Sequence, residues 1–465
     1  MQWDEFARWG RQIADWGRDY HETLRDRHVR AQTSYGEIAA QLPATAPETG
    51  EPMEQIFGDF EEIVMPGMTH WQHPRFFAYF PANASPPSML AEFLVTTLAA
   101  QCMLWQTSPA ATEMETRMLE WLRDGIGLPQ DFHGVIQDSA SSATLAAVLV
   151  MRERATDWRG NEDGLNAQGQ LRVYASAEVH SSVDRAVWVS GIGRNNLVRT
   201  PTKGATRSMD PDALAKAINA DRDAGMIPAG IIACTGGTGT GACDDIAGVV
   251  AVAKAEDLYL HVDAAWAGAG MICPEYRTLW TGVEGADSVV FNPHKWLGAQ
   301  FDCSAHFIRD PEALVKTLAM RADYLLTPGA EDVIDYSEWS IPLGRRFRAL
   351  KLWFLMRSYG MEGLRDRLRN HVNWAEELAE RLTAHERFEI VTAPVLSLFT
   401  FKLKGRDSDA QLAFVERVNN DGRIYITQTR VDGDMVIRFQ IGQFDCTKED
   451  IDTGYDVLCE LAEAP

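Results

Sequence analysis

Three side chains that can transfer protons or form covalent bonds occur in the middle of the chain, each just after a short apolar run. His180 lies in AEVHSS, Asp263 directly follows LYLHV, and Lys295 lies in NPHKW. A segment rich in glycine and threonine, CTGGTGTG (234–241), follows another such run. Enzymes use an imidazole, a carboxylate and an amine for acid–base and covalent catalysis. Their repeated position after an apolar run makes these residues candidates for one catalytic site.

The elements that must position these residues alternate between strand and helix from about residue 86 to 345. Short apolar runs predict strands at 171–176, 230–233, 258–262 and 287–291, and helical stretches lie between them. This alternation favours a largely parallel sheet, in which ligands bind at the carboxyl ends of the strands. Each of the groups named above follows the end of one predicted strand. We therefore expect them to converge along one edge of the sheet.

A hydroxyl-rich segment, Ser139 to Ser142, precedes the helical run TLAAVLVMRER. Serine is a natural N-cap, and the unpaired N–H groups of a helix start can bind a phosphate. Pyridoxal phosphate (PLP) requires a lysine for a Schiff base, an acid beside its pyridine nitrogen and donors for its phosphate. It also requires a flat group to stack on its ring. The residues predicted at this edge meet all of these requirements.

Each residue also has an ordinary structural explanation. Lys295 alone is typical of a solvated surface charge, and Asp263 of a helix N-cap. His180 is typical of a core histidine with satisfied hydrogen bonds, and the loop 236–241 of a plain turn. A serine-rich helix start is common in proteins that bind no phosphate. Only the combination of these residues at the strand ends favours a cofactor site.

Composition and charge restrict the class of protein. The 465 residues predict two or three domains, and 46% apolar with 24% charged residues is typical of a globular protein. Lys and Arg number 44 against 66 Asp and Glu, and the net charge of −22 disfavours nucleic acid and membrane partners. Seven scattered cysteines with no CxxC pair indicate reduced thiols, with no zinc site. With no signal peptide or membrane-spanning run, we expect a soluble cytoplasmic enzyme.

The chain resembles the group II decarboxylases that depend on PLP, the family of aromatic-L-amino-acid decarboxylase. The resemblance covers almost the whole chain, in the motifs HWQHPRFFAYFP (70–81), SPAATEMET (108–116), GVIQDSASSATL (134–145), HSSVDRA (180–186), HVDAAWAG (261–268), NPHKWLG (292–298) and WSIPLGRRFRALKLWF (339–354). It implies an α/β fold of the fold-type-I, PLP-dependent transferase-like class. That fold has a mostly parallel central sheet with helices on both faces, an N-terminal helical segment and a small C-terminal α+β domain.

The resemblance implies a role for each residue around the cofactor. Lys295 carries the covalent bond to PLP, Asp263 pairs with the pyridinium nitrogen, and His180 stacks on the ring. Ala265 packs against the opposite face of the ring. The phosphate is surrounded by Ser139, Ala140, Ser141, Asn292 and His294, with help from the 236–241 loop.

The 236–241 loop departs from the family pattern, because Gly239 stands where a threonine is common. The phosphate contact then passes to Thr238 or to Thr240. Tyr336, in IDYSEW, matches the catalytic tyrosine of a mobile loop that closes over the site. Relatives that form aldehydes typically replace that tyrosine with phenylalanine or the stacking histidine with asparagine, and both residues are intact here.

The resemblance also implies that an aromatic amino acid is the substrate. The wall that binds the substrate ring matches Trp71, Tyr79, Phe80 and Pro81, although such aromatics are also typical of a core. Gln101 and Met103 fall at further pocket positions, where Gln101 either bonds to a ring substituent or caps a helix. Gly344 is the small residue that accompanies indole substrates in plant relatives, and it also leaves room for phenols.

The implied reaction is decarboxylation of tryptophan, tyrosine, DOPA or 5-hydroxytryptophan to the amine and carbon dioxide. One alternative on the same fold is an aminotransferase, for which Arg438 is a candidate carboxylate-binding residue. A second alternative is an aldehyde synthase of the same family. A metal-binding protein that uses His70 and His73 is the third, but further clustered ligands are missing from the sequence.

The resemblance implies a homodimer whose active sites lie at the interface, with 70–81 and 101–103 reaching toward the partner's cofactor. An aromatic and apolar stripe recurs at helical spacing near the N-terminus, at Phe6, Trp9, Ile13, Trp16 and Tyr20. It is suited either to packing on its own domain or to clasping a second subunit. We therefore divide the chain into an N-terminal helical dimerisation segment, a large PLP-binding domain and a small C-terminal domain, at 1–85, 86–348 and 349–465.

Overall fold

The structure is a computed structural model that describes residues 1–320 and 333–463. Its helices are α1 (Trp3–Glu22), α2 (Glu37–Gln41), α3 (Met53–Asp59), α4 (Pro86–Leu98), α5 (Pro109–Ile126), α6 (Ala140–Ala155), α7 (Gly160–Asp163), α8 (Ser182–Val189), α9 (Pro211–Asp223), α10 (Ile246–Ala255), α11 (Pro311–Leu318), α12 (Ala349–Ala384), α13 (Ser408–Asp421) and α14 (Lys448–Glu463). Within α12, Gly360 has a left-handed φ of 64°, which marks a kink.

The strands are β1 (His133–Gln137), β2 (Leu171–Ser176), β3 (Leu197–Thr200), β4 (Thr202–Lys203), β5 (Ser208–Met209), β6 (Ile227–Cys234), β7 (Tyr259–Asp263), β8 (Ser288–Phe291), β9 (Ser304–Ile308), β10 (Phe388–Val395), β11 (Leu398–Leu403), β12 (Thr427–Val431) and β13 (Asp434–Gln440). The strands predicted at 171–176, 230–233, 258–262 and 287–291 correspond to β2, β6, β7 and β8. The structure begins β6 earlier than predicted, at Ile227.

The chain forms two compact units. One comprises Met1–Pro81, Glu377–Val391 and Thr400–Pro465, and the other comprises Ala82–Glu376 and Thr392–Phe399. The structure thus groups the N-terminal residues with most of the C-terminal region. The three-part division at residues 85 and 348 stays a prediction.

A seven-stranded sheet dominates the larger unit, in the order β1-β9-β8-β7-β6-β2-β3. Strands β8, β7, β6, β2 and β3 are parallel to one another, whereas β9 is antiparallel to both β8 and β1. The mostly parallel sheet predicted from the sequence is therefore confirmed.

Helices cover the large sheet, so its central strands are apolar and buried. Every residue of β7 and β8 is buried. Val148 and Met151 of α6 and Val183 of α8 share one core with Val173 of β2 and Ile232 of β6. A strand buried in this way reads as a continuous apolar run, which is why short apolar runs marked the strands in the sequence.

The smaller unit contains α1 and most of a four-stranded sheet in the order β10-β11-β13-β12. Much of the aromatic stripe of α1 packs within this unit, since the ring of Phe57 in α3 lies 5.5 Å from Trp9 and 6.3 Å from Trp16. Phe6 and Ile13 of the same stripe stay exposed. Across the described residues, no helix combines the length and the apolar character needed to cross a membrane.

Candidate active site

Four neighbouring strands of the large sheet end at one edge. The register pairs Asp263, the last residue of β7, with Cys234 of β6, and it pairs Asp263 with Val290 of β8 on the other side. Lys295 follows β8, the Gly/Thr loop follows β6, and His180 follows β2. Because these strands are parallel, the structure brings the lysine, the carboxylate, the loop and the imidazole to the same edge, where α/β sheets bind ligands.

The start of α6 reaches this edge through β1. Since β9 is antiparallel to both β1 and β8, the latter two strands run in the same direction. Gln137, the last residue of β1, is paired with Ser304, whose hydroxyl donates to Asn292 Oδ1 at 2.6 Å. Asn292 directly follows β8, so the serine-rich helix start that follows Gln137 lies near the turn that carries the lysine.

A single π-helical turn, Pro293–Leu297, carries the half-buried Lys295. The backbone N–H of Lys295 donates to the carbonyl of Asn292 at 2.9 Å. On the other side of the turn, Asn83 donates from Nδ2 to the carbonyl of Lys295 at 2.7 Å and from its backbone N–H to the carbonyl of His294 at 3.1 Å. The backbone at the lysine is therefore fixed from two directions.

Asp263 is buried at the end of β7. Its Oδ1 accepts a hydrogen bond from the backbone N–H of Ala265 at 3.0 Å. Its backbone carbonyl accepts one from the backbone N–H of Thr235, also at 3.0 Å. The carbonyl of Ala265 in turn accepts from the N–H of Asn292 at 2.8 Å. These bonds hold the turns after β6, β7 and β8 together and orient the carboxylate.

The Nδ1 atom of His180 accepts a hydrogen bond from the backbone N–H of Ser182 at 3.1 Å. A backbone N–H only donates, so in the neutral ring the proton is on Nε2. Partial burial, and then the Lys295 cation, lower the pKa of His180, while the Asp263 carboxylate acts to raise it. The three groups thus lie within electrostatic range of one another, and the imidazole is neutral at neutral pH.

The hydroxyl of Ser139 caps α6, because its Oγ accepts from the backbone N–H of Ser142 at 3.3 Å. Ala140 lies in the first turn of α6 and packs with Val290 of β8 and with Ala265. Ser141, in the same turn, is exposed. The helix start therefore presents N–H groups beside the end of β8, as a phosphate site requires.

His294 is buried beside the lysine turn, and its Nδ1 accepts from the backbone N–H of Cys303 at 2.8 Å. Burial and the neighbouring Lys295 cation lower the pKa of His294 to about 3. The ring is therefore neutral, with its proton on Nε2, where it can donate to an anion.

The structure separates the two threonines that the sequence left as alternatives in the Gly/Thr loop. Thr240 is buried, and its hydroxyl donates to Glu178 Oε2 at 3.0 Å. Thr238 is half-buried in the same loop. The hydroxyl proton of Thr240 is used by Glu178, and a phosphate contact of Thr238 stays a prediction.

Tyr336 lies in a different environment, in the helical turn Tyr336–Trp339, and is 2% exposed. Its phenol oxygen is 2.9 Å from Thr116 Oγ1, which itself donates to the carbonyl of Thr112, so Tyr336 must be the donor. The Arg345 guanidinium lies 5.0 Å from the centre of its ring. Burial raises the pKa of the phenol. Among the described residues these contacts include none of the cofactor candidates, and the catalytic role of Tyr336 stays a prediction.

Two candidate pocket residues contact the segment that carries Tyr336. Gln101 Oε1 accepts from the backbone N–H of Arg345 at 2.7 Å, and a Cβ placed on Gly344 would lie 3.1 Å from Gln101 Nε2. The carbonyl of Met103 accepts from the N–H of Ser337 at 3.0 Å. Gln101 therefore supports a neighbouring loop through Oε1, and its contact with a substrate ring stays a prediction.

The remaining pocket candidates belong to the smaller unit. Trp71 and Tyr79 stack at 5.9 Å and are 40% and 48% exposed. Phe80 and Pro81 are buried, and the guanidinium of Arg438 lies 4.6 Å from the ring of Phe80 and donates to the carbonyl of Tyr79. Their contact with a substrate stays a prediction.

The sequence interpretation missed several residues that support the site. Asn83 holds the backbone of Lys295 from 212 residues away. Glu115 forms a buried ion pair with Arg345, 230 residues along the chain, and Glu178 binds Thr240. The sequence contains no local signal for such pairs, since their partners are polar residues in unrelated segments.

The site fits PLP on chemical grounds. A half-buried lysine, a buried carboxylate, a neutral imidazole and a capped helix start occupy one sheet edge, and each matches one part of that cofactor. The fold and this site together define a PLP-dependent enzyme of fold type I.

The comparison with known proteins identifies the family. The pyridoxal-dependent decarboxylase conserved domain matches residues 36–404. Aromatic-L-amino-acid decarboxylase of Sus scrofa is 40% identical over 456 residues, which are 95% of this chain and 93% of that protein. Phenylacetaldehyde synthase of Arabidopsis thaliana is 36% identical over 457 residues, which cover 95% of this chain and 92% of that protein.

A solved structure agrees over the whole chain. The protein superposes on the crystal structure of Oryza sativa TDC with PLP and tryptamine with a TM-score of 0.96 and 30% sequence identity. The superposition covers 99% of this chain and 98% of the Oryza sativa chain. The protein belongs to the pyridoxal-dependent decarboxylase family, in the group that includes aromatic-L-amino-acid decarboxylase. Its cofactor is PLP, and it is a carboxy-lyase.

Proposed function

We propose that this enzyme decarboxylates an aromatic L-amino acid of the tryptophan, tyrosine, DOPA or 5-hydroxytryptophan class to its amine and carbon dioxide. The observation that carries the proposal is the convergence of Lys295, Asp263 and His180 at one sheet edge. The similarity to an aromatic-L-amino-acid decarboxylase over nearly the whole chain supports the substrate class.

Bound PLP supplies a sink for the electrons that remain when carbon dioxide leaves. Lys295 holds the cofactor covalently and later releases the product. The carboxylate of Asp263 stabilises positive charge on the ring nitrogen, because an opposite charge nearby favours the protonated form. The ring of His180 stacks on the cofactor, while the α6 start and the neutral His294 donate to its phosphate. The residues thus contribute orientation and electrostatic stabilisation.

Tyr336 and His180 favour the amine over the aldehyde as the product. A phenol is protonated at neutral pH, so Tyr336 can act as the acid that returns a proton to Cα. Aldehyde formation requires oxygen to react at that carbon instead. The similarity to a phenylacetaldehyde synthase makes this the alternative to test.

We also propose that the enzyme is a cytoplasmic homodimer with its active sites at the interface. An apolar face of α4 supports a subunit contact, because Leu90, Phe93, Leu94 and Leu98 are all exposed. Light scattering on the purified protein tests the dimer. An active monomer at working concentration contradicts it.

A substrate screen tests the proposed reaction. The enzyme is supplied with each of the twenty amino acids, DOPA and 5-hydroxytryptophan under air, and carbon dioxide, amine, aldehyde, keto acid and peroxide are measured. We expect carbon dioxide and amine in equal amounts from an aromatic substrate, with little peroxide, and neither product from a Lys295→Ala variant. In parallel assays that also contain a 2-oxo acid as the amino-group acceptor, a keto acid formed from the substrate without carbon dioxide indicates an aminotransferase. Aldehyde with peroxide indicates an aldehyde synthase.

A further inference from the structure

Glu178 lies two residues before His180, in the connection between β2 and α8, and its side chain is 12% exposed. Its Oε1 accepts from Arg207 Nε at 2.7 Å, and its Oε2 accepts from Thr240 Oγ1 at 3.0 Å. Both carboxylate oxygens are thus bound by groups from other segments. One half-buried carboxylate therefore links the turn of His180, the turn of Arg207 and the Gly/Thr loop.

The backbone of the Gly/Thr loop also packs directly against the backbone at Glu178. A Cβ on Gly237 would lie 2.8 Å from the carbonyl oxygen of Glu178, so this close approach requires glycine. The N–H groups of Gly236 and Gly237 both donate to the carbonyl of Ala242, which closes the loop on itself. Thr238 therefore lies within a compact loop, one end of which is held by Glu178 through Thr240.

The turn that carries Arg207 is itself fixed to the central sheet. Arg207 lies just before β5, and Met209 of β5 donates from its backbone N–H to Asp244 Oδ1 at 2.7 Å. The other carboxylate oxygen of Asp244 accepts from the N–H of Cys234, at the end of β6, also at 2.7 Å. Arg207 is thus joined to the end of the central sheet, and its bond to Glu178 transmits that rigidity to the turn of His180.

We propose that Glu178 is a positioning residue that holds the phosphate-binding loop and the stacking histidine at a fixed separation across PLP. Through Thr240 it places Thr238 at the phosphate, and through its own backbone it places His180 against the ring. The inference rests on the proposed roles of these two residues. Residues that act behind the direct ligands of a bound group typically change its affinity by about 10- to 100-fold.

The test removes the Thr240 hydroxyl from the holoenzyme by substitution and measures how PLP is bound. Thr240→Val deletes the hydroxyl at nearly constant volume, and Thr240→Ser restores it. The matched control is Thr281→Val, because the hydroxyl of Thr281 donates only to the nearby carbonyl of Thr278 on an exposed turn. Release of PLP is followed by absorbance after dilution, and the visible circular dichroism of bound PLP reports its orientation.

We expect Thr240→Val to release PLP about tenfold faster and to weaken the dichroic band, while Thr240→Ser and Thr281→Val behave like the unmodified enzyme. Glu178→Ala should have at least as large an effect, because it removes the contacts with both Thr240 and Arg207. The double variant should be no worse than Glu178→Ala, since Thr240→Val then removes nothing further. Unchanged release and dichroism in Thr240→Val, or additive effects in the double variant, overturn the proposal.

These readouts are independent of the reaction catalysed. If the substrate screen finds no decarboxylation while Thr240→Val still releases PLP faster, the proposed reaction fails and the role of Glu178 stands. If decarboxylation is found but release is unchanged, only the role of Glu178 fails.

Discussion

The cofactor edge and the Tyr336 segment, both in the larger unit, hold their functional side chains in different ways. At the edge, Asp263 ends a strand, and Lys295 and His180 follow strands within a few residues, so the sheet topology brings them together. Between α11 and Tyr336, no strand lies among the described residues. It is held by Thr116 of α5 and by Arg345, which are distant in the sequence.

Catalytic groups that are positioned by backbone topology therefore tolerate substitutions better than those positioned by side-chain contacts. A substitution at the edge changes chemistry but leaves the strands in place. A substitution behind Tyr336 removes the contacts that define where the residue lies.

The buried ion pair behind Tyr336 should give the largest change in stability. Arg345 donates to Glu115 at 2.6 and 3.1 Å, and their side chains are 2% and 3% exposed. Arg345→Ala leaves a buried carboxylate without its cation, which should lower the free energy of unfolding by about 3–5 kcal/mol. Denaturant titration measures the change.

An exposed ion pair provides the control for this loss. Arg369 and Glu275 form a bridge whose side chains are 37% and 44% exposed. Arg369→Ala should lower the free energy of unfolding far less, because solvent screens the pair. Equal losses in the two variants contradict the view that the Tyr336 segment depends on buried contacts.

At the cofactor edge, removal of a charge should affect catalysis and leave the fold intact. Asp263→Ala should lower kcat by about 100- to 1000-fold, because the positive charge on the cofactor nitrogen loses its stabilising partner. PLP should still attach to Lys295, although more weakly. Steady-state kinetics and the absorbance of the bound cofactor test both statements, and near-normal turnover excludes the proposed role of Asp263.

Loss of the phenol should change which product forms. Tyr336→Phe should reduce amine formation by about 10- to 100-fold, since general acid catalysis is lost, and aldehyde, ammonia and peroxide should rise. Chromatography of the products under air and under nitrogen measures the partition. Unchanged amine output, or a native enzyme that already makes mostly aldehyde, means that Tyr336 does not supply the proton.

The contact between Gly344 and Gln101 should give the smallest effect. A side chain at position 344 meets Gln101 Nε2 at 3.1 Å, so Gly344→Ser must displace the amide that holds the Arg345 backbone. We expect a change of about three- to tenfold in the ratio of kcat/KM for tryptophan to that for tyrosine, equivalent to roughly 1 kcal/mol. Gln101→Ala should relieve the crowding in the double variant. If Gly344→Ser leaves this ratio unchanged, the contact between Gly344 and Gln101 does not contribute to substrate specificity.

The sequence predicts the strands and helices that place the cofactor edge, but it does not predict the side-chain contacts between distant segments. The predicted helical run TLAAVLVMRER and the strand at 171–176 agree with α6 and β2, because buried strands and the helices between them leave apolar patterns in the sequence. The order of the strands could not be read from those patterns, although the parallel alternation was enough to place the strand ends together.

The polar contacts that support the site could not be predicted. Asn83 and Lys295 are separated by 212 residues, and no periodicity connects them. The environment of Tyr336 was missed for the same reason, since Thr116 and Arg345 approach it only through the tertiary fold. The family resemblance assigned Tyr336 a role, but it did not reveal these contacts.

The most direct test of the central claim is the location of the covalent bond to the cofactor. The holoenzyme is reduced with borohydride and digested, and the pyridoxyl-bearing peptide is identified by mass spectrometry. We predict that the label is on Lys295, within the peptide that contains NPHKW, and that Lys295→Ala takes up none there. A label on any other lysine of the native enzyme contradicts the assignment of this sheet edge as the active site.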